Sequence, residues 1–187
     1  MGRTLFTADT HFGHENILRF CNRPWATIEE HDRALVELWN AVVAPADTVY
    51  VVGDFAHKVH PRRLRAIFES LRGEKHLVIG NHEKTPTLQL PWASVSERLT
   101  VTVDGQRLLL DHYPGRSWHG SSRGVVQLYG HVHGRLPDLH NAGDVGVDRW
   151  GYMPTTLPQI IARLAEIPRP SFDADDEIED EPSGPRL

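Results

Sequence analysis

The chain has a single cysteine, Cys21, which excludes an intramolecular disulfide and suits a reducing cytoplasm. No apolar run is long enough to span a bilayer. At the N-terminus, Asp9 and His11 interrupt any charged-then-apolar pattern, so neither a secretory leader nor a membrane anchor is expected. Phe6 stands where a myristoylation motif starting at Met1-Gly2 needs Ser or Thr. Basic excess is missing too. The net charge is −5, which argues against a nucleic-acid coat and against stable binding of DNA or RNA. Much of that charge lies from Pro168 onward, where Pro, Asp and Glu leave little to bury. Residues 168–187 are therefore expected to be an acidic, disordered tail, and 1–167 one folded domain. Internal repeats are absent. What remains is an ordinary globular composition, 40% hydrophobic and 24% charged, and 187 residues are enough to bury a real core.

The first part of the chain alternates strands and helices. Thr4 to Ala8 and the β-branched run Thr48 to Val52 are expected strands, as is His76 to Ile79. Thr27 with Glu30 forms a capping box before a helix whose apolar positions are Ile28, Leu35, Leu38, Trp39 and Val42. Pro61 opens a second helix carrying Leu64, Ile67, Phe68 and Leu71, with Gly73 as its stop. From Leu99 the pattern becomes strand after strand. Leu99, Val101 and Val103 alternate with Thr, Asp104-Gly105 signals a hairpin, and Arg107 to Leu110 returns. Val125 to Tyr129 follows, then a last strand holding Val145 and Val147. Thr156 with Gln159 caps a final helix with Leu157, Ile160, Ile161 and Leu164 on one face. The order predicts an α/β fold in which one sheet packs on another with helices outside.

Each strand ends in side chains able to bind a metal. Asp9-Thr10-His11 follows the first, Gly53-Asp54 the second and Gly80-Asn81-His82-Glu83 the third. His112 and Gly130-His131-Val132-His133 follow two of the later ones. In open α/β sheets, ligands gather at the carboxyl ends of strands. The candidates are Asp9, His11, Asp54, Asn81, His112, His131 and His133, with His82 among them. Carboxylate with imidazole suits manganese, iron(II) or zinc, whereas calcium would want oxygen alone. Asp9 and His11, two apart on an extended segment, should lean the same way, and so should His131 and His133. Gly80 should let its turn bend sharply. Seven ligands are too many for one tetrahedral ion but fit two ions sharing a carboxylate, about 3.5–4 Å apart.

Charge counting narrows the chemistry. Two divalent cations bring four positive charges, of which Asp9 and Asp54 cancel two. A site that stays electropositive favours an anionic substrate, and phosphate esters are the obvious class. Such ions lower the pKa of a bridging water from about 15.7 toward about 7 and stabilise charge in an in-line displacement.

These blocks, Asp-x-His, Gly-Asp, Gly-Asn-His-Glu, a lone His and Gly-His-x-His, occur in the order typical of calcineurin-like metallophosphoesterases, which the chain resembles. His112-Tyr113-Pro114 with Trp118, and Gly143 to Trp150, are similar to small bacterial and phage members. The resemblance implies a double β-sandwich flanked by helices, four layers in all, and a catalytic domain over 1–167. It assigns Asp9, His11 and His133 to one metal, Asn81, His112 and His131 to a second, and Asp54 as bridge. The ions would be manganese first, with iron, zinc, nickel or magnesium as alternatives. A metal-bridging hydroxide would attack, and His82 would protonate the leaving oxygen as general acid. Glu83 stands where many members have Asp and is expected to orient the turn. Some members place a second Asp three residues after Gly-Asp to support the catalytic His. Here that position holds His57, so the orienting partner of His82 is open.

The substrate expected is a small phosphodiester or phosphomonoester, nucleotides included. His14, His57, Arg116, His119 and Arg135 are candidate substrate contacts, the arginines because a guanidinium binds phosphate bidentately. Trp25, Trp39 and Trp92 are expected to pack rather than stack on bases. Two rivals stand beside this reading. One is a nuclease, against which the low basic content speaks. The other is a metal-binding interaction scaffold without turnover, against which the presence of His82 speaks.

Overall fold

The computed structural model describes residues 2–169. The acidic tail expected over 168–187 lies, from 170 onward, outside the described residues. These residues form nine strands in two sheets, with helices against them.

The first sheet is built from β1 (Thr4–Thr7), β2 (Thr48–Val52), β3 (Glu74–Val78) and β4 (Ser94–Ser96), all parallel. A two-residue strand, β9 (Thr155–Thr156), runs antiparallel to β1 at the edge, giving the order β4-β3-β2-β1-β9. The second sheet holds β5 (Arg98–Val103), β6 (Gln106–Asp111), β7 (Val126–Tyr129) and β8 (Ala142–Asp144) in sequence order. The hairpin turn at Asp104-Gly105 joins β5 to β6, with both residues left-handed at φ 49 and 80°.

Period-two alternation sorts each strand between two cores. Leu5, Val49, Val51 and Leu77 face α2 (Ile28–Val42) and α3 (Pro61–Ser70), where Leu35, Trp39, Leu64 and Phe68 meet them. Phe6, Val52 and Val78 point the other way, against Leu108, Leu110, Val126 and Leu128 of the second sheet. The apolar face of α5 (Leu157–Ala165), Leu157, Ile160 and Leu164, closes this second core. Burying each such side chain stabilises the fold by about 1.5–3 kcal/mol. The architecture is mixed α/β, two stacked sheets flanked by helices.

Local signals worked as their chemistry requires. The Thr27 side chain accepts from Glu30 N at 3.2 Å, and Gln159 Oε1 accepts from Thr156 N at 3.0 Å. Pro61 occupies the first turn of α3, where no amide is needed. Trp39 is fully buried, and Trp25 and Trp92 pack at the rim of the first core.

Val145 and Val147 do not form the last strand. The last strand before Trp150 is β8, which ends at Asp144, and Val147 lies in a 3₁₀ turn, Val147–Arg149. Asp144 Oδ1 accepts from Gly146 N at 2.7 Å, so a side chain takes the amide a longer ladder would use. α1 (Glu15–Phe20), α4 (Thr85–Leu88), β4 and β9 were not foreseen, being too short to carry a period.

Candidate metal centre

Beyond their last ladder residues, β1 and β2 stay zipped together. Asp9 N donates to Gly53 O and His11 N to Asp54 O, both at 3.0 Å. This zipper carries Asp9, His11 and Asp54 side by side into the mouth between the sheets. All three are left-handed there, with φ of 57, 51 and 56°, as are His131 and His133 at 69 and 50°. Such conformations cost about 1–3 kcal/mol each in residues with a Cβ and persist where a site demands them. Neither pair is the extended segment expected from spacing. As a result His131 and His133 diverge into neighbouring groups.

Two groups form. In one, Asp9, His11 and His133 each place a ligand atom within 4.8 Å of the others; in the other, Asp54, His112 and His131 do the same. Asn81 joins the second, its Oδ1 lying 3.1 Å from His112 Nε2 and 3.0 Å from His131 Nδ1. Asp54 Oδ2 stands between the two, 3.5 Å from His11 Nε2 and 3.4 Å from His112 Nε2. Both ring nitrogens of His11 are buried without a hydrogen-bond partner. A buried imidazole left so is costly, and a divalent ion would satisfy it. The donor set of imidazole, carboxylate and amide oxygen fits such ions.

Supporting contacts fix the ring orientations. His112 Nδ1 donates to Val52 O at 2.9 Å, which turns the Nε2 lone pair toward Asp54 and Asn81. His133 Nδ1 lies 2.8 Å from Asp148 Oδ2. Asp148 in turn accepts from buried Arg23 at 2.9 and 2.8 Å, and Arg23 also donates to Asp9 O and Thr10 O. Glu83 accepts from Gly80 N, Asp54 N and Phe55 N at 2.7–3.1 Å. It thus clamps the third-strand turn to the second, the orienting role expected of it. Gly80 itself has no left-handed φ. It is needed because a Cβ there would lie 2.4 Å from Asp54 Oδ1, so its task is close approach rather than a sharp bend.

The charges follow from these contacts. Burial pushes the Asp9 carboxyl up to about 7. Burial acts the same way on Asp54, but the His112 hydrogen bond and the nearby imidazoles outweigh it and hold it at about 2. Burial lowers His112, yet Asp54 overcomes this and raises it to about 9. His133, opposed by burial but paired with Asp148, rises to about 10. Metal binding would have to displace these protons.

His82 lies beside the pair, its N–H donating to Asp54 Oδ1 at 2.9 Å and its Nε2 4.0 Å from Asp54 Oδ2. Its Nδ1 meets His57 Nδ1 at 3.0 Å, so the position that lacks the second Asp supplies an imidazole instead. Burial, with help from His14 and His82, lowers His57 to about 4. His14 packs against His57 with ring centroids 4.5 Å apart and the planes tilted by 49°. The remaining candidates sit elsewhere. His119 lines a groove with Thr100, Arg107 and Leu109 on the outer face of the second sheet. Arg116 lies by Pro114 and Leu136, and Arg135 donates to Phe20 O at 2.6 Å. Among the described residues, no hydrogen bond ties these three to the two groups.

Sequence reasoning missed Arg23, Asp144, which accepts from Gly134 N at 2.7 Å beside His133, and Asp148. The last two fall within Gly143 to Trp150, the stretch similar to small bacterial and phage proteins, which was the available signal. Arg23 gave none.

The family model described as calcineurin-like phosphoesterase matches residues 2–161. The chain belongs to this family. It is similar to the uncharacterized protein MJ1445 of Methanocaldococcus jannaschii, with 31% identity covering 89% of this chain and 93% of that one. It is also similar to the gene 66 protein of Mycobacterium phage D29, with 30% identity covering 80% and 90%. Among solved structures, the protein of unknown function AQ665 from Aquifex aeolicus matches with a TM-score of 0.70 and 24% identity, covering 87% of this chain and all of that one. No helix among the described residues is long and apolar enough to cross a membrane.

Proposed function

We propose that this calcineurin-like phosphoesterase is a dinuclear, divalent-metal-dependent hydrolase of small phosphodiesters or phosphomonoesters. The observation that carries the reading is Asp54 Oδ2, held 3.5 Å from His11 and 3.4 Å from His112, one imidazole from each ligand group. When bound, two ions supply Lewis acidity and activate a water for in-line attack. Asp9, His11 and His133 hold one ion; Asn81, His112 and His131 hold the other; Asp54 spans both. Manganese is the ion proposed first, as the family resemblance implies, with iron, zinc, nickel and magnesium behind it.

His82 acts as general acid. Its Nε2 faces the bridging carboxylate, where a leaving oxygen would emerge, and Asp54 Oδ1 fixes its backbone. Among the described residues no long segment folds over the mouth between the sheets, so the cleft is open and suits esters with varied leaving groups. The single cysteine favours a cytoplasmic setting.

The test is hydrolysis of an aryl phosphodiester and an aryl phosphomonoester by metal-stripped protein, with manganese, nickel, zinc or magnesium added back. Turnover that depends on metal and falls in His82→Ala is the expected result. Absence of any bound metal would overturn it.

A further inference from the structure

We propose that His14, His57 and His82 form a third divalent-cation site, adjoining the pair and sharing the ring of His82. The three imidazoles come from separate turns, after β1, β2 and β3. One nitrogen of each lies within 4.8 Å of those of the other two. Ring centroids are 4.5 Å apart for His14 and His57, 4.7 Å for His57 and His82, and 5.7 Å for His14 and His82.

The spacing of two of the nitrogens admits a cation, and the state of the third favours one over a purely hydrogen-bonded cluster. His57 Nδ1 and His82 Nδ1 face each other at 3.0 Å, and both are ring nitrogens. A tetrahedral ion with Zn–N bonds of about 2.0–2.1 Å sets its ligand nitrogens about 3.3 Å apart, so a small shift turns this spacing into a coordination edge. In addition, His14 Nδ1 is buried and has no hydrogen-bond partner. A polar atom cut off from both water and protein costs stability unless something satisfies it.

The donor set selects the ion. Three imidazoles without a carboxylate suit zinc, nickel or cobalt and offer little to magnesium or calcium. A groove of about 410 Å³ lined by Gly13, His14, Glu15, Glu29, His57 and Lys58 reaches two of the three imidazoles from solvent and gives an ion an entry path.

The site has a consequence for turnover, and this part rests on the reading of His82 as general acid. His82 Nε2 faces Asp54, and its Nδ1 faces His57. An ion on Nδ1 prevents the ring from holding a proton on both nitrogens and so removes it as a strong acid. Excess zinc therefore slows the enzyme through this triad.

The experiment is equilibrium dialysis of wild-type protein against zinc, followed by metal analysis per chain, with circular dichroism to establish folding. Three zinc ions are expected in the wild type, and two in each of His57→Ala, His57→Gln and His14→Ala. Equal zinc content in the wild type and in all three of these variants overturns the site. His112→Ala keeps the outcomes separate: if the dinuclear reading fails, that variant loses no ion, whereas the loss in His57→Ala persists. In parallel, the zinc inhibition constant should rise at least tenfold in His14→Ala. An unchanged constant removes the inhibitory role.

Discussion

Strand β2 carries a buried aspartate near each end, and both are strongly acidic through different partners. Asp47, just before the strand, accepts from Ala44 N at 2.9 Å and from Arg3 N and the Arg3 guanidinium at 2.8 Å. Its backbone is unstrained, and these donors hold it at about 2. Asp54, just past the strand, sits near the same value but is left-handed, and its Oδ2 faces imidazoles from two groups. One carboxylate is consumed by local hydrogen bonds and clips the chain. The other is held in a costly conformation with coordinating capacity to spare. Equal acidity thus says nothing of role; the identity of the partners and the strain of the backbone do.

The largest break in this comparison is Asp54→Asn. The amide offers one oxygen where the carboxylate offers two and removes a negative charge between the ligand groups. Both ions should be lost together, and turnover should fall by more than the about 10²–10⁴-fold a general acid supplies. Metal analysis showing loss of only one ion would mean that Asp54 does not bridge. His82→Ala comes next. It leaves all seven ligands in place, so the two ions should remain while turnover falls about 10²–10⁴-fold. Unchanged turnover would remove His82 as the acid.

A finer cut separates the two ligand groups. Asp148→Asn weakens the hold on His133 and loosens Arg23, which ties down the Asp9-Thr10 backbone. The His112 group, oriented by Val52 O and Asn81, keeps its supports. Affinity for one ion should drop about 10–100-fold while the other is unaffected, read as a split in a calorimetric metal titration. A drop in both would mean the groups are supported as one unit.

The strands and helices that set up this comparison were legible because their signals are local. Thr27, Pro61, Asp104-Gly105 and Thr156 act within a few residues of themselves, and period-two alternation sorts Leu5 from Phe6. The candidate site was legible because every candidate ligand follows a strand, as in Gly53-Asp54. What stayed hidden depends on contacts distant in sequence. Arg23 meets Asp148 across 125 positions, and no pattern near either announces it. His57 was seen as a departure from an Asp, but that it meets His82 through a ring nitrogen is a fact of side-chain packing. The diverging His131 and His133 were misjudged because left-handed backbone in non-glycine residues breaks the alternation that the spacing argument assumed.

Asp47→Asn is the smallest effect and the one that sharpens the comparison most. In the folded chain the Asp47 carboxyl is held at about 2 by the Ala44 and Arg3 amides, with the Arg3 side chain adding to them. In the unfolded chain it returns to about 3.9. A carboxyl more acidic when folded stabilises the protein fully above the unfolded value, and that contribution disappears as pH falls from about 4 toward 2. The variant should therefore have a lower urea midpoint than the wild type at pH 7, and the gap should narrow between pH 4 and 2. Metal content and turnover at pH 7 should be unaltered, since the clip lies at the opposite end of β2 from the ligands. A loss of bound metal in Asp47→Asn would show that the two ends of the strand are coupled and that the clip also helps to place Asp54.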